Sequence, residues 1–166
     1  MKKTISIKYV LGLNPCDKYT PEYIKELFAS VGCKKTMPVK KVFDVDIPVD
    51  DLLWLILRED FIQEKELHYF SIWCFENIAQ KIWEKYYPDD TRPQEAIMIK
   101  KLWLEGKATD DELAAAWDAA WDAACASDWA AARDAAWDAA WDAASAAAMK
   151  KIKEHLKEMI LKQNKG

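Results

Sequence analysis

Residues 114–148 hold 20 alanines in 35 positions, and the decapeptide AAWDAAWDAA occurs twice within them, at 115–124 and 135–144. Alanine orders no side chain and buries no polar group on entering a helix, so a run this dense in alanine is committed to helix before any tertiary contact forms. Within each copy the four-residue spacing sets one indole a turn above the other, Trp117 with Trp121 and Trp137 with Trp141, and puts an aspartate beside each: Asp118, Asp122, Asp138 and Asp142. The copies lie 20 residues apart, which on one unbroken helix would turn the second pair about 200° from the first. A break near residues 126–128, with Ser127 as N-cap, instead lets both pairs face one core or pocket. The simpler role for these indoles is packing, large knobs in gaps left by alanines while the aspartates face water. The functional alternative is an aromatic cleft that stacks a planar ligand such as a nucleobase or cages a cation.

Elsewhere helices are read from their ends. Thr20 before Pro21 and the run EYIKELFASVG reads as a helix with an N-cap, a first-turn proline and a stop at Gly32, and it is the first helix of this reading. Residues 34–48 carry two prolines and read as an irregular connection with a short extended piece at 39–45. After Pro48, Leu52, Leu53, Leu55 and Ile56 carry the spacing of a core helix with Trp54 beside them. A longer helix over 64–86, closed by Pro88, has Leu67, Phe70, Trp73, Cys74, Ile78 and Ile82 on or near one stripe. Thr91 with Gln94 has capping-box spacing before a helix that Gly106 stops, and Thr109 with Glu112 repeats the pattern at the alanine run. Residues 4–10 alternate and are β-branched, as in a short strand, without an evident partner.

The expected fold is therefore all-α: a single-domain helical bundle over residues 1–166, with alanine- and tryptophan-rich C-terminal helices and a short N-terminal strand. It divides into an N-terminal helix and connection (1–48), core helices (49–106), and alanine-rich helices with a lysine-rich tail (107–166). A chain of 166 residues can build one real core, and 51% apolar with 31% charged residues is a globular composition. Cys16, Cys33, Cys74 and Cys125 form no CxxC pair, and the opening MKKTISIKYV lacks an apolar signal core, so a cytoplasmic location is expected. The longest apolar run, residues 52–57, has six members, against the roughly 20 that span a bilayer. Membrane partners are not expected.

Residues 114–148 carry six aspartates and one arginine, whereas 150–166 carry six lysines and two glutamates. An acidic centre argues against a nucleic-acid polymer, and the lysines read as a solvated helix end favoured by the helix dipole. Catalytic chemistry is sparse: the two histidines, His68 and His155, have no metal-ligand spacing, and four glycines form no phosphate loop. Paired carboxylates sit at helix starts and on helix faces, where capping and solvation account for them. No cofactor, metal or catalytic group is expected, and the chain reads as a non-enzymatic binding protein.

Several segments then follow in a recognisable order: DLLWLI at 51–56, the helix bearing Trp73 and Cys74, PDDTRPQEAI at 88–97, LWLEG at 102–106, and the alanine run. This order, above all from Leu67 onward, resembles a family of immunity proteins of bacterial polymorphic toxin systems, members of which also occur in phage genomes. Asp90, Arg92, Pro93, Ala96, Ile97, Trp103 and Gly106 are its most specific part. Where members often carry histidines late in the alanine region, this chain has tryptophan and serine.

The resemblance implies a role in microbial conflict. Joined to the indoles, it gives a phage sponge that sequesters a nucleotide-derived immune signal in a tryptophan-lined pocket, with Arg92 or Arg133 pairing with phosphate. The alternative is an immunity protein whose acidic helical face binds and inhibits a protein toxin. The candidate ligand-binding set is Trp117, Trp121, Trp137, Trp141, Arg92, Arg133, Asp90 and Trp103, and a homo-oligomer stays open.

Overall fold

The computed structural model describes residues 1–126 and 135–163, with the side chains of 1–123 and 146–163. Among the described residues the fold is all-α apart from one two-stranded sheet. The chain packs as two compact units, Met1–Leu67 with Met149–Gly166, and His68–Ala148.

In the first unit β1 (Thr4–Ser6) pairs antiparallel with β2 (Thr36–Pro38), Ile5 opposite Met37. The strand expected over 4–10 thus stops after three residues. Ser6 Oγ accepts the Tyr9 N–H at 3.1 Å and caps α1 (Ile7–Gly12), a helix ahead of the one read as first. Its partner strand lies within the 34–48 connection, but at residues 36–38. Residues 39–45, expected to be extended, are mostly a 3-10 turn (Val39–Asp44), whose three-residue repeat carries Val39 and Val42 into the core, with Phe43 buried beside them.

Helix α2 (Pro21–Ser30) follows its sequence signals: Thr20 Oγ1 accepts the Tyr23 N–H. Gly32, at φ +73°, closes the helix while the N–H groups of Cys33 and Gly32 reach back to the carbonyls of Phe28 and Ala29, both at 2.9 Å. Helix α3 (Val49–Ile56) buries Leu52, Leu55 and Ile56, and leaves Trp54 in solvent under the Arg58 guanidinium. The lysine-rich tail, read as a solvated end, proves to be a core helix. From Met149 onward α8 (Ala135–Gln163) supplies Leu156 and Ile160, one turn apart and fully buried, and Lys157 reaches Asp44 at 3.4 Å. Ile5, Ile24, Phe28, Val42, Leu52, Ile56 and Ile62 are buried in the same unit.

The helix expected over 64–86 is continuous, as α4 (Glu64–Cys74), a π turn (Phe75–Ala79) and α5 (Gln80–Tyr86). Phe70 and Ile72 are buried, whereas Leu67, Trp73, Cys74, Ile78 and Ile82 are half-buried.

Helices α6 (Arg92–Leu104) and α7 (Asp110–Ala126) complete the described part of the second unit. The Thr91–Gln94 capping box does not form. Asp90 Oδ1 takes the Arg92 N–H instead, and the Thr91 hydroxyl donates to Glu95. The Thr109–Glu112 box does form: the Glu112 N–H donates to Thr109 Oγ1 at 3.2 Å, and the Thr109 N–H donates to Glu112 Oε2 at 2.7 Å. Gly106, at φ +72°, ends α6 with the same pair of back-bonds as Gly32. Helix α7 runs to Ala126 and α8 starts at Ala135; the cap expected at Ser127 lies outside the described residues. Among the described residues no helix is long and apolar enough to cross a membrane.

Candidate functional site

Five residues join α6 to α7, and the two helices return alongside each other as an antiparallel hairpin. Side chains fix its register. Near the turn the Trp103 indole N–H donates to Asp110 at 2.7 Å. Midway the Lys100 ammonium lies 5.3 Å from the Trp117 ring centre. Alanines let the backbones approach: Ala96 and Ala123 are both fully buried.

That close packing leaves the outer side of α7 open. Asp111, Asp118 and Asp122 fall on one exposed line at spacings of seven and four, and Trp117 and Trp121 on the adjoining line. Trp117 remains 43% exposed and Trp121 71% exposed. These two indoles therefore do not fill a core. The residues that α7 turns toward α6 are leucine and alanine, which leave no gap of indole size, so Trp121 stands outside the contact and Trp117 lies at its edge, over Lys100. Helix α7 carries no lysine or arginine, so the line of aspartates is uncompensated along its own element.

The remaining predicted site residues are placed elsewhere. Arg92 is clamped by Asp90 through Nε to Oδ1 at 2.9 Å and Nη2 to Oδ2 at 2.7 Å, a bidentate pair that holds the Asp90 carboxyl below the usual carboxylate range. The Asp90 carbonyl in turn accepts the Trp83 indole N–H at 2.8 Å, and Trp83 packs on Tyr87 with ring centres 4.6 Å apart. Asp90 and Arg92 thus brace the turn of residues 87–91, beside an open depression of about 610 Å³. Trp103 is anchored on Asp110 and edge-on to His68 at 5.3 Å, near the hairpin turn. Trp137 and Trp141 belong to α8, and their side chains, like Arg133 as a whole, lie outside the described residues.

No family model, no curated protein and no solved structure matches this chain. Two further places bear on function. In the first unit a cavity of about 50 Å³, walled by Val10, Ile24, Phe28, Met37, Val42 and Leu55, is far below the roughly 300 Å³ at which small-molecule pockets begin. In the second, Lys100 is a charged residue that the sequence reading passed over: only 8% exposed, it shares the inward face of α6 with Ala96 and Ile97. A lysine one turn beyond two apolar positions is a visible signal that a charge will be drawn inside. Among the described residues no group of three histidine, cysteine or acidic side chains is placed to hold a metal ion.

Proposed function

We propose that this chain is a non-enzymatic binding protein that uses the outer face of α7 to engage a basic protein surface, in the manner of an immunity protein covering a toxin. The observation that carries the reading is the solvent-facing pair Trp117 and Trp121 beside Asp111, Asp118 and Asp122. Tryptophan is enriched among the residues that dominate protein interfaces, because one indole removes a large apolar area from water and loses little side-chain entropy. Uncompensated aspartates at its edge steer a cationic partner and select against acidic ones. The resemblance to immunity proteins supplies the class of partner.

A photo-crosslinking amino acid in place of Trp121 tests this in the cell that encodes the protein. The captured partner should be basic, and its association should slow steeply as salt rises. An acidic partner, or association indifferent to salt, would refute the reading.

A second reading, sequestration of a nucleotide-derived signal, is favoured by one observation: the half-exposed Trp117 indole sits against a buried cation, Lys100. A nucleobase stacked on an indole contributes roughly 1–3 kcal/mol, and a nearby ammonium adds a partner for phosphate.

A further inference from the structure

Among the described residues Lys100 is the buried charge of the second unit, and the α7 face leaves it unexplained. Its Nζ donates to the neutral Ser71 hydroxyl at 2.8 Å, and the Ser71 hydroxyl is itself bonded to the His68 carbonyl at 2.7 Å. The Trp117 ring lies on another side at 5.3 Å. No carboxylate among the described residues comes within ion-pair distance of Lys100. Lys2, Lys18, Lys101, Lys107 and Arg92, all more exposed, each rest on one. Lys100, by contrast, is buried without such a partner, and an ammonium removed from water loses hydration that a hydroxyl and a ring restore only in part. Burial by itself accordingly holds the Lys100 pKa below that of an ordinary lysine, with no carboxylate acting on it. The surroundings stay reachable, because Ser71 is exposed and Trp117 is half-exposed.

We infer that Lys100 is the cationic centre of a small-anion site whose ligand is an oxyanion carried on a flat ring, as in a nucleoside monophosphate. The oxyanion meets Lys100 Nζ beside the Ser71 hydroxyl, and the ring stacks on Trp117. Arg92, the cation expected from sequence to pair with phosphate, is already held by Asp90 through its Nε and Nη2 and has its charge matched there. The aspartates along α7 set the charge limit, since each further phosphate would face Asp118 and Asp122 and bind less well. This inference rests on the small-molecule reading of Trp117, and it names the residue on which that reading turns.

Calorimetric titration of the full chain with AMP, adenosine and inorganic phosphate tests it, using the wild-type protein and the variants Lys100→Met, Lys100→Gln and Arg92→Ala. AMP should bind the wild type at least tenfold more tightly than adenosine. That advantage should vanish in Lys100→Met and survive in Arg92→Ala. Methionine replaces a buried charge by an apolar chain of similar length and should fold; a circular dichroism spectrum checks this, and Lys100→Gln serves if it does not. If AMP keeps its advantage without Lys100, the Lys100 site is wrong while the small-molecule reading stands. If neither AMP nor adenosine binds the wild type, both fall.

Discussion

Leu156→Ala probes the part of the fold that the sequence least advertises. Leu156 sits in a segment with lysine at 150, 151, 153, 157 and 162, yet it is fully buried, as is Ile160 one turn on. Truncation removes three carbons from a site without solvent contact, so the loss combines their transfer free energy with the cavity left behind. Buried Leu→Ala changes cost about 2–5 kcal/mol, and a site with no exposed edge belongs in the upper half, about 3–4 kcal/mol. Urea unfolding followed by far-ultraviolet circular dichroism reads this directly. With a slope of about 2 kcal/mol per molar, the midpoint should fall by roughly 1.5–2 M at unchanged slope. Lys151→Ala, on the exposed side of the same helix, should stay within about 0.5 kcal/mol of the wild type. If the two variants behave alike, the tail is a solvated end and its place in the first unit is wrong.

Thr109→Ala removes the reciprocal cap of α7 and should cost about 1 kcal/mol, measured by the same unfolding assay; no change would mean that the cap is not formed in solution. Arg92→Ala breaks the bidentate clamp on Asp90 and should lower the melting temperature while leaving partner affinity intact; the opposite pattern would make Arg92 a contact residue. Burial and then the bond to Asp60 push the Tyr9 phenol up from 10.0 to about 12, and burial with a bond to Asp51 raises Tyr19 as well. The folded chain therefore holds these protons more tightly than the unfolded chain, so the stability these two phenols contribute should be constant below pH 10 and decline between about pH 10 and 12. Tyr9→Phe with Tyr19→Phe should flatten that decline, and an unchanged alkaline slope would show that other groups control it.

What could be read from the sequence was the chemistry of helix ends, because a cap or a stop is settled by neighbours three or four residues away. Thr20, Gly32, Gly106 and the Thr109–Glu112 box stand where their spacing put them. The same rule misled at Thr91, whose hydroxyl is drawn as a donor to the ionised Glu95 while Asp90, one residue earlier, takes the Arg92 N–H. Long-range pairing was hidden. Nothing local to residues 4–6 names residues 36–38 as their partner, and the row of Leu156 and Ile160 was masked by the lysines around it. At the candidate site the indole spacing on α7 was legible, but its direction was not, because an alanine-rich helix has no apolar stripe strong enough to fix which side packs. For Arg92 the sequence offers two roles, a brace that pairs with Asp89 or Asp90 and a cation for phosphate, with the brace expected to dominate because two carboxylates lie beside it, and the bidentate bond to Asp90 is that brace.

The central claim, that the outer face of α7 is a recognition surface and not misplaced core, is tested most directly by the affinity of Trp121→Ala for the cross-linked partner, with its unfolding midpoint recorded alongside. Trp121 is 71% exposed, so the midpoint should match the wild type, while loss of an interface anchor worth about 2 kcal/mol weakens binding about thirtyfold. Undiminished affinity, or a loss of 3–5 kcal/mol in stability of the kind a buried aromatic shows, would contradict the claim.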